Sequence, residues 1–252
     1  MMLSRCGWMP PPDRRPWPDG AVHVWRARLD WPDASAVALE PILSGDERER
    51  IARLHFQRDR RRSLISRGLL RTLLGRYLDM PPEALAFGYS PYGKPALAVP
   101  DTPLRFNVSH SGELLLIAVT LERALGVDVE EIRRDMEVLE IAARFFSPSE
   151  RDRLASVPEV LRHDAFFDCW TRKEAYIKAK GDGLSLPLDQ FDVAFGPGLP
   201  ARLLATRPDQ AEARRWWLRE LDVAEGYKAA LAVEGAGLTL ACWDWPTARY
   251  AG

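Results

Sequence analysis

Two acidic segments, beginning at Gly126 and Trp170, carry the residue types best suited to chemistry. In Gly126-Val127-Asp128-Val129-Glu130, two carboxylates stand two positions apart in an apolar frame. Alternate strand residues share a face, so Asp128 and Glu130 project together while Val127 and Val129 enter the core. Two such carboxylates repel each other unless a cation lies between them. In Trp170-Thr171-Arg172-Lys173-Glu174-Ala175-Tyr176-Ile177-Lys178-Ala179, a carboxylate precedes an ammonium by one helical turn. Taken alone, that spacing describes a surface ion pair worth roughly 0.3–0.5 kcal/mol. Phe166, Phe167, Trp170, Ala175 and Ile177 make the helix largely apolar, however. Charges on a buried helix need partners or a ligand. Three carboxylates and a cation are what a divalent metal bound to a phosphate ester requires.

Further groups suit an anion. Phe106-Asn107-Val108-Ser109-His110-Ser111-Gly112 reads as the end of a strand, Leu104–Val108, and a polar turn. Ser109, His110 and the glycine backbone of that turn suit a phosphate. A hydrolase triad is disfavoured, because adjacent Ser and His seldom face each other and no Gly-x-Ser-x-Gly elbow is present. The turn Pro91-Tyr92-Gly93-Lys94-Pro95 presents Lys94, a point charge for a nearby phosphate. Residues 48–72 hold nine arginines against Glu49 and Asp59, in a chain of net charge -1. A basic helical region in a near-neutral protein points to an anionic ligand. Without interleaved aromatic residues or global positive charge, nucleic acid is the weaker candidate for that ligand.

The elements that must position these groups are legible as a pattern. Val22–Leu29 alternates as a strand. Ser44 caps a helix with Glu47 as its capping-box partner, and a longer helix runs from Asp59 to Leu78. Strands follow at Leu104–Val108 and Leu114–Thr120. The order then restarts. Gly126–Ile132 is a strand, Ser147 and Glu150 form a second capping box, and the helix of Glu174 follows. Strands 216–223 and 227–233 complete this part. Ser-x-x-Glu-Arg-acid-Arg-aliphatic occurs at Ser44 and again at Ser147, and strand and long helix recur at nearly the same offset. Two similar half-domains are expected, residues 21–123 and 124–252, with a ligand cleft at their junction. Residues 1–20, with five prolines from Pro10 to Pro18, are expected to be an irregular arm.

Bulk properties agree with a globular chain. It has 252 residues, 46% hydrophobic and 28% charged, enough for one large domain or two small ones. Cys6, Cys169 and Cys242 lack paired spacing, which argues against a disulfide framework or zinc site and suits a reducing compartment. No apolar run reaches the roughly 18–20 residues that span a membrane. The N-terminus lacks the apolar stretch of a signal peptide. The expected location is the cytoplasm, with no membrane partner.

Phe106–Ser111, Gly126–Glu130, Phe145–Glu150 and Trp170–Val193 together resemble the surfactin-type 4'-phosphopantetheinyl transferases. Tyr92-Gly93-Lys94-Pro95 and Gly226-Tyr227-Lys228 extend the resemblance, in order, from about Ser44 to about Val233. It implies an α+β fold of two similar half-domains related by a pseudo-twofold axis, with coenzyme A in the cleft between them. Asp128, Glu130 and Glu174 look like the ligands of Mg²⁺ on the coenzyme A pyrophosphate. Lys178 looks like the residue that neutralises the same group. Ser109 and His110 look like phosphate contacts, and Lys94 looks like a further contact on the nucleotide side. The chain departs from the family near its first capped helix, where lysines for the 3'-phosphate fall by register on Glu47 and Arg50. Glu47 is explained as a capping residue, the basic contacts lie among Arg50, Arg53, Arg58 and Arg62, and Arg50 and Arg62 are the candidates chosen. The implied reaction moves the 4'-phosphopantetheine arm to a Ser of an apo acyl or peptidyl carrier protein, with Glu174 the candidate base. The carrier would serve fatty-acid, polyketide or nonribosomal-peptide synthesis. The rival readings are a binding module for coenzyme A or a carrier, and a metal-dependent nucleic-acid enzyme. A monomer is expected, because one chain supplies both half-sites.

Overall fold

The computed structural model describes residues 7–11, 17, 20–181, 186–207 and 209–246, so most of the expected arm lies outside it. The first part contains β1 (Ala21–Arg28), α1 (Asp33–Val37), α2 (Gly45–Ala52), α3 (Gln57–Leu78), β2 (Phe87–Tyr89), β3 (Pro95–Leu97), β4 (Leu104–Ser111) and β5 (Leu114–Leu121). The second contains β6 (Leu125–Glu131), α4 (Val138–Phe145), α5 (Pro148–Ser156), α6 (Glu159–Lys180), β7 (Phe191–Ala194), β8 (Arg202–Thr206), β9 (Trp216–Glu220), β10 (Tyr227–Glu234) and β11 (Thr239–Asp244). The fold is α+β.

Two sheets stand between two long helices. One has the strand order β11-β1-β5-β4 and the other β6-β10-β9. Strand alternation sorts the residues into three cores. Trp25, Ala27, Leu115 and Ile117 face α3, where they meet Ile65, Leu69 and Leu73. Val22, Val24, Leu116 and Ala118 face the other sheet and meet Val127, Val129, Leu231 and Val233. Ala230 and Ala232 face α6, where they meet Phe166, Ala175 and Tyr176. The middle core buries one sheet against the other, so the junction between the halves is largely apolar.

Both predicted capping boxes are present, at Ser44 with Glu47 and at Ser147 with Glu150. The repeat extends beyond the caps. Buried Glu47 accepts from Arg71 Nε of α3 at 2.7 Å, and Arg71 Nη1 donates to the carbonyls of Pro82 and Leu85. Buried Glu150 pairs with Lys173 Nζ of α6 at 2.7 Å, and that ammonium donates to the carbonyls of Leu188 and Phe191. In each case one buried cation ties the cap, the long helix and the connection after it. Both long helices have 22 residues and end at a left-handed residue, Asp79 and Gly181.

The structure amends three expectations. Strand β11 crosses back to pair in parallel with β1, so Thr239–Asp244 belong to the first half's sheet rather than to a C-terminal half running to residue 252. Ser109 and His110 lie in β4 rather than in a turn, because β4 pairs with β5 as far as Ser111. Cys169 is buried and free, whereas Cys242 is disulfide-bonded. Among the described residues, no helix is long and apolar enough to cross a membrane.

Candidate active site

The site is built where α6 crosses β6 beside the edge of β4. Gly126 makes the crossing possible, because a Cβ there would lie 2.2 Å from Ala175 O and 2.4 Å from Ala179 N. Those are backbone atoms of α6 and cannot swing aside. Gly126→Ala is therefore expected to lower stability by about 3 kcal/mol, as forced overpacking does, and to depress activity by lifting α6 from β6. Urea unfolding and turnover measured side by side check this.

With α6 so close, Lys178 Nζ lies 2.6 Å from Asp128 Oδ1 and 2.9 Å from Ser109 Oγ. Ser109 Oγ itself donates to Asp128 Oδ1 at 2.9 Å. Asp128 is only 3% exposed, and among the described residues its Oδ2 has no hydrogen-bond partner. Burial pushes the Asp128 carboxyl up, against the opposing pull of Lys178. Ser111 Oγ donates to Glu130 Oε2 at 2.8 Å, and burial followed by repulsion from Asp128 raises Glu130. Glu174 is raised to about 7, first by burial and then by Asp128, with Glu130 adding to it and Lys178 opposing. The three acids therefore share one electrostatic neighbourhood and carry more negative charge than Lys178 offsets.

The basic residues take varied positions. His110 reaches the surface at one edge; the protein packed around the rest of its ring lowers the imidazole, and Lys178, Arg62 and Arg67 act in the same direction. Arg62 of α3 is ion-paired with Glu113 in the β4–β5 turn. Arg50 lies 3.6 Å from Asp46, with its guanidinium over the Tyr89 ring at 4.5 Å. Arg67 donates to the Tyr89 hydroxyl at 3.4 Å. Lys94 Nζ donates to the carbonyls of Leu125, Lys178 and Ala179, and burial lowers it to about 8. It thus links the β2–β3 hairpin to β6 and the end of α6.

A cavity of about 240 Å³ lies beside the acids, lined by Lys94, Asn107, Glu174 and Lys178 among others. A cavity of about 920 Å³ between β9, β10 and residues 196–201 contains none of the predicted site residues. Among the described residues, no three or more His, Cys, Asp or Glu are already gathered as a ready-made metal cluster. Lys178 holds one oxygen of Asp128 in this arrangement. The donors nevertheless fit a hard cation such as Mg²⁺, since all are carboxylate oxygens, all three acids are raised and one buried oxygen is unpartnered. Asn107, Ser111, Tyr89, Arg67 and Glu113 were not singled out as site residues from the sequence. The alternation of Asn107, Ser109 and Ser111 was a usable signal, hidden once the strand was ended at Val108.

Comparisons with known proteins converge on one family. Residues 124–232 match the 4'-phosphopantetheinyl transferase superfamily, and residues 31–122 match the 4'-phosphopantetheinyl transferase N-terminal family. The chain is 38% identical over 240 residues to 4'-phosphopantetheinyl transferase HetI of Nostoc sp., covering 94% of this chain and 98% of that protein. It is 33% identical over 191 residues to 4'-phosphopantetheinyl transferase Sfp of Bacillus subtilis, covering 75% of this chain and 81% of that protein. Among solved structures, the holo-[acyl-carrier-protein] synthase of Thermotoga maritima aligns with a TM-score of 0.37 at 21% identity. That alignment covers 44% of this chain and 62% of the other.

Proposed function

The chain belongs to the 4'-phosphopantetheinyl transferase family, and from that premise we propose how its cleft performs the reaction. The enzyme transfers the 4'-phosphopantetheine arm of coenzyme A to a carrier protein. The carrier Ser oxygen attacks the β-phosphorus, the bond to the nucleotide phosphate breaks, and 3',5'-ADP leaves.

In this reading Asp128, Glu130 and Glu174 hold Mg²⁺. The observation that supports it is the repulsion by which Asp128 raises both Glu130 and Glu174, beside an Asp128 oxygen that is buried and has no partner among the described residues. When bound, Mg²⁺ supplies positive charge at the pyrophosphate and at the departing phosphate. Lys178 sits on the same side of the site and adds a second positive charge there. Arg62 and Arg67 lie in the electrostatic neighbourhood of His110, whose lowered, neutral imidazole can donate a hydrogen bond to the nucleotide's phosphates. Arg50 adds a further cation beside Tyr89. Lys94 fixes the end of α6 and so the height of Lys178 above β6.

The Ser proton must also be taken. Glu174, raised to about 7 by burial and by Asp128 in the metal-free protein, is the candidate for that role. The Ser proton would pass to the Glu174 carboxylate through a water. The apo acyl or peptidyl carrier protein completes the reaction, and one chain supplies both walls of the cleft, which fits a monomer. The test is to incubate the protein with coenzyme A, Mg²⁺ and several apo carrier domains and weigh the carriers intact. Carriers are expected to gain the phosphopantetheinyl group as 3',5'-ADP is released. Failure on every carrier would refute the reading.

A further inference from the structure

Strands β4 and β6 run side by side but belong to different sheets. Side chains of β4 bridge them. Asn107 Oδ1 accepts from Val127 N at 2.9 Å, Ser109 Oγ from Val129 N at 3.3 Å and Ser111 Oγ from Glu131 N at 3.1 Å. The three residues alternate on β4, so they share a face and meet alternate amides of β6. At the second and third rungs the hydroxyl also acts as a donor. Ser109 gives its proton to Asp128 and Ser111 gives its proton to Glu130. Each serine thus grips the amide of one residue and aims at the carboxylate of the residue before it.

A hydroxyl has one proton and two acceptor lone pairs. Ser109 uses all three, because Lys178 Nζ takes the second lone pair. Ser111 has no such third partner in the hydrogen bonds described, so its role is simpler to isolate. We propose that Ser111 is a positioning residue for Glu130, holding that carboxylate of the second half in place from a strand of the first half. Ser109 does the same for Asp128 while also seating Lys178. This inference rests on the reading of Asp128 and Glu130 as metal ligands. Hydrogen-bond partners of ligating side chains commonly affect metal affinity by 10–100-fold.

The experiment compares the wild-type protein with Ser111→Ala and Ser111→Thr. Mn²⁺, as a paramagnetic probe, is titrated into each in the absence of carrier, and bound metal is read by electron paramagnetic resonance. The KM for coenzyme A, at saturating Mg²⁺, and the urea midpoint are measured in parallel. Ser111→Ala is expected to weaken Mn²⁺ binding roughly tenfold or more, with the urea midpoint and the KM for coenzyme A nearly unchanged. Ser111→Thr, which keeps the hydroxyl, is expected to restore most of the affinity. Wild-type affinity in Ser111→Ala would overturn the inference while leaving the metal reading intact. So would equal losses in the Ala and Thr variants, or a KM that rises in step with the loss of metal affinity. A wild-type protein that binds no Mn²⁺ would instead remove the metal reading on which the inference depends.

Discussion

Glu174→Gln is expected to produce opposite changes in activity and stability. Loss of a positioned base typically costs at least about a hundredfold in rate, and loss of a metal ligand adds to this. The metal-free protein should nevertheless become more stable. Glu174 is raised from 4.5 to about 7 in the fold, so between those values the folded chain binds more protons than the unfolded one. Stability of the metal-free protein therefore falls as pH rises through that window. Above about 7 the full penalty applies, roughly 3 kcal/mol at about 1.4 kcal/mol per pKa unit. The raised Asp128 and Glu130 act with the same sign. Glutamine carries no charge to desolvate or repel, so the variant should regain most of that energy at pH 8 and show a flatter stability profile from pH 5 to 8. Urea unfolding in chelator across that range measures both effects. Near-normal turnover, or a variant less stable than wild type at pH 8, would remove Glu174 from the acidic cluster.

Lys178→Met is expected to lower both quantities. The ammonium is the cation at 2.6 Å from Asp128, whose side chain is only 4% exposed. Removing one partner of such a pair leaves a buried charge uncompensated, at about 3 kcal/mol or more. The loss should grow as pH rises, because the unpaired Asp128 must ionise in the core. Adding Asp128→Asn to Lys178→Met should recover most of the stability, since the charge is then gone and the shape is retained. Activity should fall by about a hundredfold in Lys178→Met, the scale of losing one stabilising donor at a charged transition state, and should not return in the double variant. A double variant no more stable than the single one would show that the pair contributes packing rather than charge.

These effects depend on residues that were readable to different degrees. The capped starts at Ser44 and Ser147 were local patterns, and local geometry alone closes them. The facing of Asp128 and Glu130 opposite Val127 and Val129 followed from strand alternation, and the middle core contains both valines. Arg71 was counted among the basic helical residues, yet it is buried on Glu47. Its partner lies one helix earlier, and periodicity cannot distinguish a solvated arginine from one that a distant carboxylate draws inward. Arg62 suits a phosphate by its place in the sequence but pairs with Glu113, a turn residue whose approach depends on the β4–β5 hairpin. Lys94 reads as a point-charge contact for a phosphate, whereas its ammonium donates to three carbonyls of the other half. The return of β11 to β1 is a long-range pairing without a local signature. The serine ladder is hidden in the sequence for a different reason: Ser109-His110-Ser111-Gly112 is polar and reads as a turn, and only the pairing of β4 with β5 extends the strand as far as Ser111.

The most direct measurement is the intact mass of an apo carrier protein after incubation with the enzyme and coenzyme A, with Mg²⁺ or with chelator in its place. The account predicts a phosphopantetheinyl mass gain with Mg²⁺, little or none in chelator, and recovery when Mg²⁺ is returned in excess. Modification at full rate in chelator would contradict the assignment of Asp128, Glu130 and Glu174 as ligands of a required metal.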